Sequence, residues 1–164
     1  MSLNFLIKRN SKYLFNGCGV AAFLHLFTDY IASIKPTYGP SMLPTINVRD
    51  ESVFINKYYR RGRNIKIGDI VSVRHPLEHD ERAIKRVMGM PGDFVLRDTP
   101  GRGEGLMIQV PQGHCWLIGD NLESSRDSRT YGPVPLALVQ GKVVASMAWR
   151  SFPKAFADVF SAPR

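Results

Sequence analysis

The chain has 164 residues and a formal net charge of +8, and 44% of its residues are hydrophobic. This length predicts one domain, or a smaller domain with an appendage, and the apolar content excludes an intrinsically disordered chain. A positive charge can indicate a nucleic-acid or anionic-membrane partner, but the basic residues are scattered. Their single cluster, residues 59–63, lacks a recognisable nucleic-acid fold around it, so we expect no nucleic-acid partner.

The N-terminal region resembles a membrane anchor. Residues 1–12 are basic and contain no acidic side chain, and residues 13–34 are mostly apolar and aromatic. At about 1.5 Å per residue, a helix as long as residues 13–34 just crosses a hydrocarbon core of about 30 Å. Asp29 interrupts it only near its C-terminal end. We predict a single transmembrane helix, with a buried or interfacial helix and a cleaved presequence as the alternatives.

From residue 35 onward, short β-like runs alternate with turns that contain glycine and proline. The predicted strands are residues 51–56, 69–74, 82–88, 94–97, 106–110, 115–118 and 142–149. Such regular spacing predicts a mainly β domain over residues 35–150, built as a sandwich or a barrel-like set of sheets. Residues 135–140 could add a helical turn, and the tail 151–164 could form a short helix or a frayed end.

Lys85 is the first candidate catalytic residue. Alternate residues of a strand share a face, so Lys85 lies between Ala83 and Val87 on an apolar side. Burial lowers the pKa of a lysine, and a neutral amine can accept a proton. The alternative is a solvated lysine in a basic run, which is the commoner arrangement.

Ser41 is the second candidate, in a turn bounded by Gly39-Pro40 and Pro44. A serine attacks only when a nearby base takes its proton. The turn could present the Ser41 hydroxyl outward and leave the backbone N–H of Ser41 to stabilise an oxyanion. An ordinary loop serine is the alternative reading.

The polar stretch over residues 119–132 predicts a loop in which Asp127 and Arg129 can pair, and in which a serine hydroxyl could orient an amine. A plain surface loop is the alternative. His75 and His79 lie in another polar loop that we expect to be solvated. Nucleophile-elbow, zinc and phosphate-loop motifs are missing from the sequence, so no metal or cofactor is predicted.

Together and in this order, the stretches resemble the type I signal peptidases, which are membrane-bound Ser/Lys proteases. The matching text is Gly39-Pro40-Ser41-Met42-Leu43-Pro44-Thr45, then Gly68-Asp69-Ile70-Val71, then Arg82-Ala83-Ile84-Lys85-Arg86-Val87-Met88-Gly89-Met90-Pro91-Gly92-Asp93, and finally Gly119-Asp120-Asn121 with Ser125, Asp127-Ser128-Arg129 and Tyr131-Gly132-Pro133. The last stretch is most similar to the members from the mitochondrial inner membrane.

This resemblance implies a role for each site residue. Ser41 is then the nucleophile and Lys85 the general base, Ser125 orients Lys85, and Asp127 with Arg129 forms a supporting ion pair. The chain departs from the family at one position.

Some bacterial members carry a serine two residues before the nucleophile, where this chain has Gly39. The oxyanion hole must then rely on backbone N–H groups, including that of Ser41.

The resemblance further implies a signal-peptidase-like β domain that removes N-terminal sorting presequences from precursors delivered to the mitochondrial intermembrane space. The protein would be anchored in the inner membrane with its catalytic domain facing that space, and paired with a homologous second subunit. Three alternatives remain: a non-catalytic membrane-anchored β domain that binds a partner, a bacterial-type signal peptidase I, and a soluble self-cleaving Ser/Lys repressor.

Overall fold

The computed structural model of the chain describes residues 16–78, 81–99, 101 and 105–148. The predicted basic flank, residues 1–12, and the C-terminal tail, residues 151–164, lie outside these residues. So do residues 13–15, which begin the predicted anchor, and His79.

The first described element is helical. An α-helix, α1, covers residues 16–26 and continues as a π-helical turn over Phe27–Ile31. Every residue from 16 to 31 is exposed. The chain becomes extended at Ala32, so residues 32–34, predicted as the end of the anchor, belong to a strand. Within the described ranges, no helix has both the length and the apolar character needed to cross a bilayer.

The remaining described chain contains nine antiparallel strands. Their bounds are β1 Ala32–Thr37, β2 Glu51–Asn56, β3 Ile70–Arg74, β4 Arg82–Gly89, β5 Phe94–Leu96, β6 Met107–Gln109, β7 His114–Ile118, β8 Val134–Pro135 and β9 Val139–Ala148. Seven of them form one curled sheet in the order β1-β2-β9-β3-β4-β7-β8, and β5 pairs with β6 in a separate hairpin. The predicted mainly β, antiparallel fold is therefore confirmed.

Two strands were not predicted. The first three residues of β1 lie in the predicted anchor, and its Pro36 argues against a central strand because proline cannot donate to a ladder. The fold tolerates Pro36 because β1 is an edge strand that pairs only with β2. Strand β8 has two residues, too few to leave a periodic pattern. The helical turn suggested within residues 135–140 is present as a 3-10 turn over Leu136–Leu138.

The strands enclose three apolar clusters, and two of them flank the site described below. The first cluster joins β3, β4, β7 and β9 through residues such as Val71, Val87 and Leu117. The second cluster packs the loop after β1 on β2 through Met42 and Val53. Each such side chain contributes roughly 1.5–3 kcal/mol when it is fully buried, so the clusters hold β4 and the β1–β2 loop firmly together.

Candidate active site

The turn that carries Ser41 is a 3-10 helix over Pro40–Met42. Gly39 precedes it with a φ of 98°, a conformation that L side chains rarely adopt, and this explains glycine at the position. Met42 is 3% exposed and packs with Ile46 and Val53, so the turn is fastened to the core by its neighbour. Ser41 itself remains half-buried.

Lys85 is buried on β4, with 4% of its surface exposed. It lies opposite Val71 of β3 and shares its face with Val87, which is fully buried. Burial lowers the pKa of Lys85, because the ammonium form is the one that loses hydration. The nearby Asp127 carboxylate opposes this effect, and the Arg129 guanidinium adds to it.

Asp127 and Arg129 form the ion pair that the sequence suggested. The Arg129 Nε atom donates to Asp127 Oδ1 at 2.9 Å and Nη2 donates to Oδ2 at 2.9 Å. Asp127 is fully buried, caps the short helix α2 (Ser128–Tyr131) and accepts from the backbone N–H of Gly119 at 3.0 Å. Burial alone would raise the pKa of Asp127, but Arg129 and the other donors hold the pKa below its ordinary value.

Ser125 lies beside the Ser41 turn. A β-carbon built on Gly119 would be 2.6 Å from Ser125 Cβ and 2.5 Å from the Ser41 carbonyl oxygen. That same carbonyl oxygen accepts from the backbone N–H of Asn121 at 3.0 Å. The Ser125 hydroxyl oxygen is buried. Burial raises the pKa of Asp127, and the Ser125 hydroxyl is among the donors that lower it, so this hydroxyl lies within reach of the Asp127 carboxylate.

A second ion pair and its hydrogen bonds join all four of the matching stretches. The Arg86 guanidinium binds Asp120 through Nε at 2.8 Å and Nη2 at 2.6 Å, and its Nη1 donates to the carbonyl of Gly68 at 2.8 Å. The Thr45 hydroxyl also donates to the Asp120 carboxylate. Sequence reasoning assigned no role to these residues. Their adjacency to the Ser41 turn, Lys85 and the polar loop was the signal that could have found them.

A cavity of about 580 Å³ opens next to Ser41. One wall is the end of edge strand β1 and the other is the start of β4, which the Ser41 turn contacts. Its lining is Lys35, Pro36, Thr37, Tyr38, Gly39, Ser41, Met42, Ile46, Ile55, Ser72, Arg82, Ala83 and Ile84. The volume is in the range of small-molecule and peptide sites.

The structure corrects the reading of His75 as part of a solvated loop. His75 is 7% exposed, and its ring packs edge-on against Tyr131 at 5.4 Å between centroids. Its Nδ1 atom accepts from the backbone N–H groups of Leu77 at 3.3 Å and Glu78 at 3.1 Å. His75 therefore caps the loop between β3 and β4 by accepting its backbone N–H groups. Its ring packs on Tyr131 of α2, which is far away in the sequence.

A family model described as "Signal peptidase, peptidase S26" matches residues 10–100 and 95–149. The chain belongs to this family. It is 41% identical over 127 residues to "Mitochondrial inner membrane protease subunit 1" of Schizosaccharomyces pombe, covering 77% of this chain and 80% of that protein. The Homo sapiens protein of the same name is 40% identical over 119 residues, covering 73% of this chain and 71% of that protein.

Among solved structures, a signal peptidase I from Enterococcus faecalis V583 superimposes with a TM-score of 0.42 and 23% identity, covering 50% of this chain and 98% of that one. Membership in the S26 family supports a protease. In this S26 family member, the matching stretches contact one another: the Ser41 turn contacts β4, which carries Lys85, and the Ser125 loop contacts the Ser41 turn.

Proposed function

We propose that this S26 peptidase is a serine endopeptidase in which Ser41 is the nucleophile and Lys85 the general base. The observation that carries the proposal is the burial of Lys85, 4% exposed and with a lowered pKa, on a strand that contacts the Ser41 turn. A lysine that can lose its proton near neutral pH is what a hydroxyl nucleophile needs as its base.

The reaction is acyl transfer. Neutral Lys85 takes the proton of the Ser41 hydroxyl, whose oxygen attacks the scissile carbonyl carbon. The resulting Lys85 ammonium then protonates the departing amine as the peptide bond breaks, which leaves an acyl ester on Ser41. Water, deprotonated by Lys85, attacks the ester and releases the acyl group and the Ser41 hydroxyl. The backbone N–H of Ser41 stabilises the oxyanion, because Gly39 offers no hydroxyl for this purpose.

The neighbouring loop supports this chemistry. The Ser125 hydroxyl orients the Lys85 amine, and the Asp127–Arg129 pair holds Ser125 in place. Burial lowers the pKa of Lys85, the Asp127 charge opposes this, and Arg129 offsets Asp127, so the pKa of Lys85 stays below its ordinary value. The two residues are thus positioning residues, since they act through Ser125 and Lys85.

The substrate is an extended peptide that pairs with the free edge of β1. Strand β1 terminates the sheet, and its last residues line the cavity beside Ser41. An incoming strand could therefore bond to the β1 backbone and place its scissile carbonyl near the serine. This arrangement suits precursors that carry an N-terminal sorting presequence, which the enzyme would remove.

The site of action follows from the names of the relatives and from the N-terminal segment. The relatives are named mitochondrial inner membrane proteases, and we place this chain in that membrane, anchored by the part of the predicted segment 13–34 that precedes β1. The basic flank, residues 1–12, stays on the matrix side by the positive-inside rule, so the catalytic domain faces the intermembrane space. The relatives are also named subunit 1, which supports a heterodimer with a homologous second subunit.

The proposal is tested by following cleavage of a presequence-bearing precursor by the full chain in membranes. Ser41→Ala and Lys85→Met should each lower the turnover rate by at least about a thousandfold, as loss of a nucleophile or base does in other serine hydrolases. Exposed residues of the same two types provide the matched controls. Ser124→Ala and Lys66→Met should both cleave at the wild-type rate. Cleavage at the wild-type rate by Ser41→Ala or Lys85→Met would overturn the roles assigned to these residues, and absence of cleavage by the wild-type chain would favour the non-catalytic β domain.

A further inference from the structure

A second cavity, of about 630 Å³, lies where α1 and its π-helical turn meet the domain. We call it the helix-end cavity. Its lining includes Tyr30 and Ile31 from the helical end and four basic residues from the segment after β2, Lys57, Arg60, Arg61 and Arg63. The only basic cluster of the sequence is therefore gathered around one depression, and the lining contains no acidic side chain.

Two of the basic residues fasten the end of the helix. Lys57 Nζ donates to the carbonyl oxygens of Thr28 at 2.6 Å and Asp29 at 3.2 Å, and Arg60 Nη1 donates to the Asp29 carbonyl at 3.2 Å. Carbonyl groups at a helix C-terminus lack partners within the helix, and cations are favoured beside them. The helix-end cavity thus keeps a defined position relative to the apolar helix.

The other two basic residues stand exposed at the cavity and are not ion-paired to any described residue. The Arg63 guanidinium lies over the Tyr58 ring at 5.3 Å, and Arg61 holds a left-handed backbone with φ of 57°. The Asp29 side chain, at the end of the helix that borders the cavity, contacts His25 at 3.4 Å. Burial lowers the pKa of Lys57, Asp29 opposes this, and the neighbouring cation Arg60 lowers the pKa further. The cavity is therefore lined by a cluster of positive charges that nearby acidic groups neutralise only in part.

The surroundings indicate which anion this charge meets. Phe23, Leu24 and Phe27 of the adjoining helix are 63%, 54% and 37% exposed, so the surface next to the cavity is apolar. Tyr30, at 67% exposure, lies at the junction of this apolar surface with the basic segment. Tyrosine and arginine at the end of an apolar helix are typical of the membrane–water interface, and guanidinium groups bind phosphate through paired hydrogen bonds.

We propose that the helix-end cavity binds the phosphate of an anionic phospholipid headgroup, with Arg61 and Arg63 as its principal donors. This inference rests on the proposed membrane anchoring of the chain, because only then do the cavity and the headgroups share one depth. Bound lipid would fix the tilt of the β domain over the bilayer. It would thereby hold the cavity beside Ser41 at a constant height for membrane-tethered substrates.

The test uses the full chain in micelles of an uncharged detergent, titrated with dioctanoylphosphatidylglycerol or dioctanoylphosphatidylcholine. Retained lipid is counted by native mass spectrometry. We expect at least a tenfold preference for the anionic lipid. The double variant Arg61→Gln/Arg63→Gln should weaken its retention by about fivefold for each arginine, the factor that one basic residue contributes near an anionic surface.

The matched control is Arg49→Gln/Arg97→Gln, which removes the same charge from exposed arginines that do not line the helix-end cavity. It should change retention by less than about twofold, since charges outside the site are screened. Equal retention of the two lipids by the wild type, or equal losses in the two double variants, would overturn the inference. So would competition by free glycerol phosphate at the concentration at which the lipid itself binds, because the site would then be a general anion site.

The result of the lipid-binding test is independent of the result of the test for peptidase activity. The same titration on Ser41→Ala should show the wild-type lipid preference, whether or not that variant still cleaves precursor. Loss of cleavage in Ser41→Ala together with equal retention of both lipids would leave the peptidase proposal standing and overturn only the lipid site.

Discussion

Gly119 packs so closely against the carbonyl oxygen of Ser41 that a β-carbon at residue 119 would lie 2.5 Å from that oxygen. The same β-carbon would lie 2.6 Å from Ser125 Cβ, and both distances are shorter than real β-carbons show. The nucleophile turn and the polar loop therefore approach each other across a site where only glycine fits.

We predict that Gly119→Ala lowers kcat about a hundredfold, because displacing catalytic groups by about 1 Å costs that much. The control is Gly62→Ala, whose β-carbon would lie 2.7 Å from the Leu136 side chain, because neither residue lines the cavity beside Ser41. Both variants should lose thermal stability, and only Gly119→Ala should lose turnover per folded molecule. Wild-type kcat in Gly119→Ala would contradict the close packing of the site.

The pH dependence of the reaction should report the pKa of Lys85. The base works only when neutral, so kcat/KM should rise with pH and level off above an apparent pKa lower than that of an exposed lysine. Arg129 lowers the pKa of Lys85, whereas Asp127 raises it. Removing the guanidinium in Arg129→Gln should therefore shift the profile to higher pH.

Arg126→Gln is the control for this shift, because Arg126 is exposed and pairs instead with Glu78 at 3.1 Å. Its pH profile should coincide with that of the wild type. A shift of the Arg129→Gln profile to lower pH would contradict the electrostatic roles assigned to Asp127 and Arg129.

Lys85→Met should inactivate the enzyme and stabilise its fold. The folded state holds the pKa of Lys85 below its unfolded value, so below the folded pKa the buried ammonium destabilises the protein. This penalty disappears as pH rises from the folded pKa to the unfolded pKa, where both states are neutral. Methionine fills the site without charge, so we expect a gain of about 1–2 kcal/mol at neutral pH.

Urea unfolding of wild type and Lys85→Met at several pH values measures this gain in the free energy of unfolding. The gain should shrink as the pH rises toward the pKa of lysine in the unfolded chain. The exposed Lys66→Met serves as the control and should leave stability unchanged at every pH. A destabilised Lys85→Met, or a gain that grows with pH, would show that the lysine is not the buried, charge-disfavoured group described above.

Asp120→Asn should reduce both stability and turnover. Asp120 binds Arg86 and Thr45, so its carboxylate connects the Lys85 strand to the Ser41 turn. Loss of charged hydrogen bonds of this kind costs about 1.5–3 kcal/mol. Asp69→Asn is a closely matched control, because the Asp69–Lys142 pair has the same side-chain exposure, 15% and 29%, against 15% and 28% for Asp120–Arg86.

Thermal unfolding and precursor cleavage measured on both variants distinguish the two pairs. The stability losses should be comparable, and kcat should fall several-fold further in Asp120→Asn than in Asp69→Asn. Equal kcat in the two variants would mean that the Arg86–Asp120 pair has no part in positioning Ser41.

The outcome for β1 shows where local pattern is insufficient. Residues 32–34 continue an apolar run and Pro36 interrupts a strand pattern, so the sequence favoured helix and loop there. Pairing with β2 overrides both preferences, and this pairing joins residues up to 24 positions apart, as in Ala32↔Asn56. Long-range hydrogen bonds of this kind leave no local signal.

The spacing of short apolar runs between glycine and proline turns was enough to predict seven of the nine described strands. The period-two alternation of side chains placed Lys85 on an apolar face of its strand but left a solvated lysine as the commoner reading, because burial depends on what packs against that face. The order of the motifs was enough to identify the family. The tertiary structure decided the burial of His75, the Arg86–Asp120 ion pair, and the lack of room for a β-carbon at residue 119. Each of these depends on groups from distant parts of the chain meeting within a few ångströms, and only the folded sheet brings them together.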